Sequence, residues 1–172
     1  MNVKLIKEKF NAAVFNFLQE DPCLLKIGDG GVHEQAISHR IAVYLDLEFK
    51  GLGYHVDCEY NKHEDLPKRL RLDQVLCQCP SCMQQSNISA ECPLFRPDIN
   101  VHHRNDDTRN LLVVEIKKTQ KCLKDCAKLK KLSAPLNQNG YGYQLGIFLY
   151  FEVKNHEYIP QYIFFRDGKK RG

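Results

Sequence analysis

Two carboxylic acids and a lysine stand in a stretch otherwise suited to the inside of a β-sheet. Arg96 to Lys118 reads RPDINVHHRNDDTRNLLVVEIKK. Pro97-Asp98 opens it, and Glu115-Ile116-Lys117 follows the apolar run Leu111-Leu112-Val113-Val114. Charged groups among Val and Ile are costly to bury without partners. The partners that suit this set are a divalent metal for the acids and a phosphate for the lysine.

Chemistry of that kind requires the acids to share one side of a sheet. Side chains alternate faces along a strand. Val113, Glu115 and Lys117 therefore lie on one face, opposite Leu112, Val114 and Ile116. Asp98, Asn100 and His102 share a face in the first strand, opposite Ile99 and Val101. An antiparallel hairpin with His103 facing Leu112 sets Asp98 opposite Lys117 and Asn100 opposite Glu115. Asp98 and Glu115 are then diagonal neighbours, about 7–8 Å apart at Cα. A slip of one residue would send Asp98 to the other face.

Other elements must hold this hairpin. Residues 3–19 have apolar positions at helical spacing (Val3, Ile6, Phe10, Ala13, Val14, Phe17) and end at Asp21-Pro22. A second helix is expected from His33 to about Glu48, where Glu34, Ile37, Ile41 and Leu45 form one stripe. Glu34 either favours the helix dipole in the first turn or supplies a third carboxylate. Tyr54 to Asn61 alternates like a strand, with Asp57 and Glu59 on its polar face, where they either border the site or lie in solvent; for Asp57 solvent is expected. Gln120 to Leu132 reads as a helix, with Lys121, Lys124, Lys128 and Lys131 on one arc and Cys122, Cys126 and Leu129 on the other. Tyr143 to Phe151 reads as a buried central strand. Tyr158 to Phe165 reads as a last strand, pushed to an edge by Pro160, before a frayed basic tail.

Residues 62–95 show no regular periodicity. They carry Cys77, Cys79, Cys82 and Cys92, four of the eight cysteines in the chain. Such spacing suits a closed, structural Zn²⁺ site stapling a polar loop, with a redox pair or unpaired buried thiols as alternatives. In a reducing compartment, cysteines argue for metal before disulfides. The 172 residues form one domain (1–172) with 62–95 inserted, and the net charge is +4. No apolar stretch is long enough to span a bilayer, and no signal-peptide core is present. The default expectation is a cytoplasmic protein with no membrane partner. Seven lysines between Lys117 and Lys131 make a basic face that invites a polyanion.

The order of these elements, with acids and lysine at Glu34, Asp98, Glu115 and Lys117, resembles the PD-(D/E)xK, or restriction-endonuclease-like, nuclease superfamily. Pro97-Asp98 matches its first motif, and Glu115-Ile116-Lys117 its E-x-K, with sixteen residues between the two acids. Glu34 corresponds to the acid that many members place on the first core helix. The resemblance runs from about residue 33 to residue 151, and the cysteine insert departs from the minimal core. It implies an α/β fold with an αβββαβ core, a mixed central sheet flanked by helices. It implies Mg²⁺ (or Mn²⁺) held by Asp98, Glu115 and the backbone carbonyl of Ile116, with Glu34 as a further ligand. The activity implied is phosphodiester hydrolysis, with DNA favoured, and nucleic acid contacts are expected at Lys118, Lys121, Lys124 and Lys128. Members of the superfamily often act as homodimers. Two other readings stand beside it: a nucleic-acid- or partner-binding module on the same fold that does not cut, and an ordinary hairpin with an exposed Glu115–Lys117 salt bridge.

Overall fold

The computed structural model describes residues 1–26, 32–60, 96–138 and 140–172, and the backbone alone at 62–63, 66–67, 70–71 and 91–92. Helix α1 (Val3–Glu20) begins where the Asn2 side chain accepts a hydrogen bond from the Lys4 N–H at 2.9 Å. It buries Ile6, Phe10, Ala13, Val14 and Phe17 along one stripe and stops before Pro22, which disfavours helix in the residue preceding it. Helix α2 (Glu34–Phe49) buries Ile37, Ile41, Leu45 and Phe49. Asp21 ties the two together, accepting from Arg40 and from Tyr44, each at 2.6 Å.

Strand β1 is His55–Cys58. Four two-residue strands follow: β2 (Lys62–His63) pairs with β3 (Leu66–Pro67), and β4 (Leu70–Arg71) with β5 (Glu91–Cys92). Pairs this short leave no periodicity in a sequence. Then come β6 (Ile99–His102), β7 (Leu112–Lys117), helix α3 (Leu123–Leu132), β8 (Leu145–Lys154), β9 (Glu157–Arg166) and β10 (Lys169–Arg171). The main sheet has the order β1-β6-β7-β8-β9-β10, with β7 and β8 parallel and every other neighbour antiparallel.

Helices cover both faces of the sheet. Helices α1 and α2 lie over Ile99, Val101, Leu112, Val114, Ile116, Ile147 and Leu149. Helix α3 lies over Val113, Phe148, Ile163 and Phe165. Strand β8 is therefore buried on both sides, as its continuous apolar run requires. Gly146 in β8 permits the close approach of α3: a Cβ there would sit 3.3 Å from Phe165 Cβ and 3.4 Å from the Leu129 carbonyl oxygen.

Three expectations need correction. The β6–β7 pairing is Ile99↔Val114, Asn100↔Val113 and Val101↔Leu112, two residues from the expected register. The cause lies in the loop. His103 and Asp106 close their own small turn, and Asp107–Arg109 adds a 3-10 turn, so pairing with β7 stops at Val101. An even slip keeps every side chain on its face. Helix α3 starts at Leu123, not Gln120, because the chain bends at 118–120 and Cys122, the N-cap, is still extended. The basic tail is ordered: Asp167 and Gly168, with φ of 53° and 69°, make a tight hairpin turn into β10. Pro160 lies in β9 beyond the short stretch that β10 covers, at a locally open edge, as proline requires.

Candidate functional site

Glu115 and Lys117 project from the C-terminal end of β7 on the face that α3 covers. Continuing the observed register by one residue puts Asp98 directly opposite Glu115. The backbone fixes that placement, because the Ile116 N–H donates to Asp98 Oδ2 at 2.7 Å. Glu115 is 2% exposed, and its Oε1 accepts no hydrogen bond.

The first turn of α2 brings Glu34 to the same end of the sheet. Lys117 Nζ donates to Glu34 Oε2 at 2.8 Å, and the Lys118 N–H to Glu34 Oε1 at 3.3 Å. Helix α3 adds two groups. Lys128 Nζ lies 2.8 Å from Asp125 Oδ1 and 3.8 Å from Glu115 Oε1, and Lys117 Nζ lies 3.7 Å from Asp125 Oδ2. Glu34, Asp98, Glu115 and Asp125 thus cluster around Lys117 and Lys128. Four carboxylates against two ammonium groups leave a formal charge of −2 when all are ionised.

Burial sets the ionisation of the acids. It pushes Asp98 up to about 6, against the opposing pull of the Ile116 N–H and Lys117. Burial also pushes Glu115 well above the usual carboxylate range, with Lys128 opposing. For Asp125 burial acts in the same direction, but Lys128 and Lys117 prevail and hold it low. Burial would favour neutral lysines, yet Asp125 and Glu34 hold Lys117 firmly protonated, and Glu115 and Asp125 do the same for Lys128.

The three acids and the lysine singled out by residue type (Glu34, Asp98, Glu115, Lys117) meet at one end of the sheet. Lys118 sits beside Glu34, and its Nζ donates to the Lys26 carbonyl at 3.2 Å. Lys121 is exposed and Lys124 half-buried near the start of α3. Lys128 differs from the solvent-facing role of its arc: its side chain is 16% exposed and faces the acids. Asp125 lies outside the sequence expectation, although a signal exists. It falls on the buried stripe with Cys122, Cys126 and Leu129, where an acid needs a partner. Gln144 lies at the start of β8, the opposite end of the sheet from Lys117.

Asp57 is also corrected. It is not in solvent but 16% exposed, bonded to His102 Nε2 at 3.0 Å and to Arg104 Nη2 at 2.5 Å and Nε at 2.9 Å. Burial opposes its charge, but these partners outweigh it and hold the carboxyl well below its usual range. A cavity of about 300 Å³ opens beside Asp98, between α2 and β1, lined by Gln35, Ser38, His39, Cys58, Glu59 and Asp98.

Among the described residues, no group of three or more His, Cys, Asp or Glu side chains is arranged to hold a metal ion. Cys77, Cys79 and Cys82 lie outside the described residues, and only the backbone of Cys92 is described. No described helix is long and apolar enough to cross a membrane. The chain matches no family model, no curated protein and no solved structure.

Proposed function

We propose that this chain is a Mg²⁺-dependent nuclease of the PD-(D/E)xK kind, acting on DNA. The observation that carries the reading is the placement of Asp98 opposite Glu115, one residue beyond the Ile99↔Val114 pair of β6 and β7, with Lys117 next on the same face and a buried Glu115 oxygen left without a hydrogen-bond donor. The element order α2-β1-β6-β7-α3-β8, apart from the insertion, supports the restriction-endonuclease-like core.

The donors fit the ion. Asp98, Glu115 and the carbonyl of Ile116 are all oxygen ligands, as a hard cation prefers. Mg²⁺ commonly takes only one or two carboxylates, with water and substrate phosphate completing its shell. When bound, the ion supplies Lewis-acid polarisation of the scissile phosphate and a more acidic water.

The chain supplies the rest. Asp98 is aimed by the Ile116 N–H, and Glu115 by its burial between β7 and α3. Lys117 is held between Glu34 and Asp125 and keeps its proton. It is placed to act on the attacking water and to stabilise charge developing on phosphate. Glu34 has both oxygens engaged, by Lys117 and the Lys118 N–H, so its role is to position Lys117. Lys118, Lys121 and Lys124 would meet the phosphate backbone near the site. Structural Zn²⁺ at Cys77, Cys79, Cys82 and Cys92 belongs to the same proposal, and elemental analysis of protein purified without chelator tests it.

The test is cleavage of plasmid, single-stranded DNA and RNA with Mg²⁺, Mn²⁺ or EDTA. Cleavage of DNA is expected with either metal, falling at least about 10²-fold in Asp98→Ala and Lys117→Ala, the scale on which one such stabilising group acts. Metal-dependent cleavage that survives both substitutions would remove this site from the reaction. Salt-sensitive binding without cleavage would point to a non-cutting module instead.

A further inference from the structure

Lys128 occupies a place that charge arithmetic makes informative. Its ammonium is in contact with Asp125 and lies 3.8 Å from Glu115 Oε1, the oxygen with no hydrogen-bond donor. Lys117 fills the corresponding place against Glu34 and the other oxygen of Asp125. The cluster therefore has two acids beyond its bases. A single divalent ion brings it to neutrality, whereas a second would leave two positive charges uncompensated beside buried lysines. Sites that hold two metals commonly place them about 3.5–4 Å apart. A carboxylate shared by two cations is an economical way to build that spacing, and Glu115 has this position, with an ammonium on one side.

We propose that Lys128 is a fixed organic cation in the place a second metal ion would take, so that the site accepts one divalent ion, held by Asp98 and Glu115. The inference rests on the metal-site reading above and goes beyond it in assigning stoichiometry and the group that sets it. Lys128 reaches this place because α3 lies close on β8 at Gly146, and because Asp125, one turn earlier, anchors its ammonium.

The experiment is a titration with Mn²⁺, followed through the electron paramagnetic resonance signal of the free ion, on the full chain without nucleic acid. Mn²⁺ suits it because thiolates hold this hard ion poorly, which keeps the cysteines silent. Wild type is expected to bind one ion, and Asp98→Asn to bind at least tenfold more weakly. Lys128→Arg, which keeps the charge, should also bind one. Lys128→Gln should bind two, or its first at least tenfold more tightly. Two ions on wild type, or a Lys128→Gln protein matching wild type in number and affinity, would overturn the inference and leave the metal site standing. No Mn²⁺ on wild type would overturn both. Wild-type stoichiometry is itself a test, so the inference stays exposed even if Lys128→Gln does not fold.

Discussion

Asp98 carries a cost that the fold does not need. Its carboxyl is pushed up to about 6, so ionisation is harder in the folded chain than in the unfolded one. The sign follows by linkage. The destabilisation is absent below the ordinary carboxylate range, near pH 4, and complete above about pH 6. Asp98→Asn, which still accepts from the Ile116 N–H, should therefore raise the melting temperature of the metal-free protein at pH 7.5 and leave it nearly unchanged at pH 4. Thermal melts of both proteins at the two pH values check this, and an equal gain at both would remove ionisation as the cause. The residues of this site are legible from their types and spacing: acids and a lysine within Val- and Ile-rich strands have to find partners. Asp125 is harder to see, because it lies in a helix whose exposed lysines dominate the pattern. Only its place on the apolar stripe marks it.

At the scale of elements, β1 and β6 are pinned by one half-buried charged group. Asp57 holds His102, which is 2% exposed, and Arg104 beyond the end of β6. Asp57→Ala should destabilise the chain by about 2 kcal/mol, the usual scale for hydrogen bonds to a charged group, in urea denaturation at pH 7. Because the folded Asp57 carboxyl is held low, this contribution is present above the ordinary carboxylate range and is lost as the pH falls below it. Wild type and Asp57→Ala should accordingly converge in strongly acidic buffer. Strands β1, β6, β7, β8 and β9 are readable from alternation and apolar runs, but the register is not. It depends on how many residues the 103–110 loop absorbs, and that follows from the Asp106 carboxylate accepting from the Thr108 N–H and hydroxyl. The expected register nevertheless has the correct parity, which is enough to place Asp98 and Glu115 on one face.

Across the whole molecule, the positive charge is not spread evenly around the site. Lys118, Lys121 and Lys124 gather near the end of β7, whereas Lys169–Arg171 pair with the C-terminal end of β9, beside the start of β8. The two basic regions therefore lie at opposite ends of the sheet. Binding of DNA in EDTA should weaken linearly in log K against log salt, and removing one phosphate-binding lysine should reduce the slope by about 1. Lys121→Ala and Lys124→Ala should each do so and also lower cleavage. Lys169→Ala with Lys170→Ala should leave cleavage unchanged. Filter binding across a salt series, run beside the nuclease assay, checks both; cleavage that disappears with the tail lysines would mean that substrate reaches the far end. Composition predicts a polyanion partner, but only the folding of β9 and β10 separates the lysines into two regions.

The pairing of Cys58 with Ile99 closes β1 onto β6, and the Glu59 N–H donates to the Asp98 carbonyl at 3.3 Å just beyond it. The chain leaves the sheet after Glu59 and returns to it at Asp98, so both ends of the intervening segment meet at that one seam. The cost of closing a loop grows only with the logarithm of its length. A segment of quite different size can therefore be spliced in at this seam without moving a ladder bond of the sheet. A protein engineer can thus exchange that segment and leave Asp98, at the seam itself, in place.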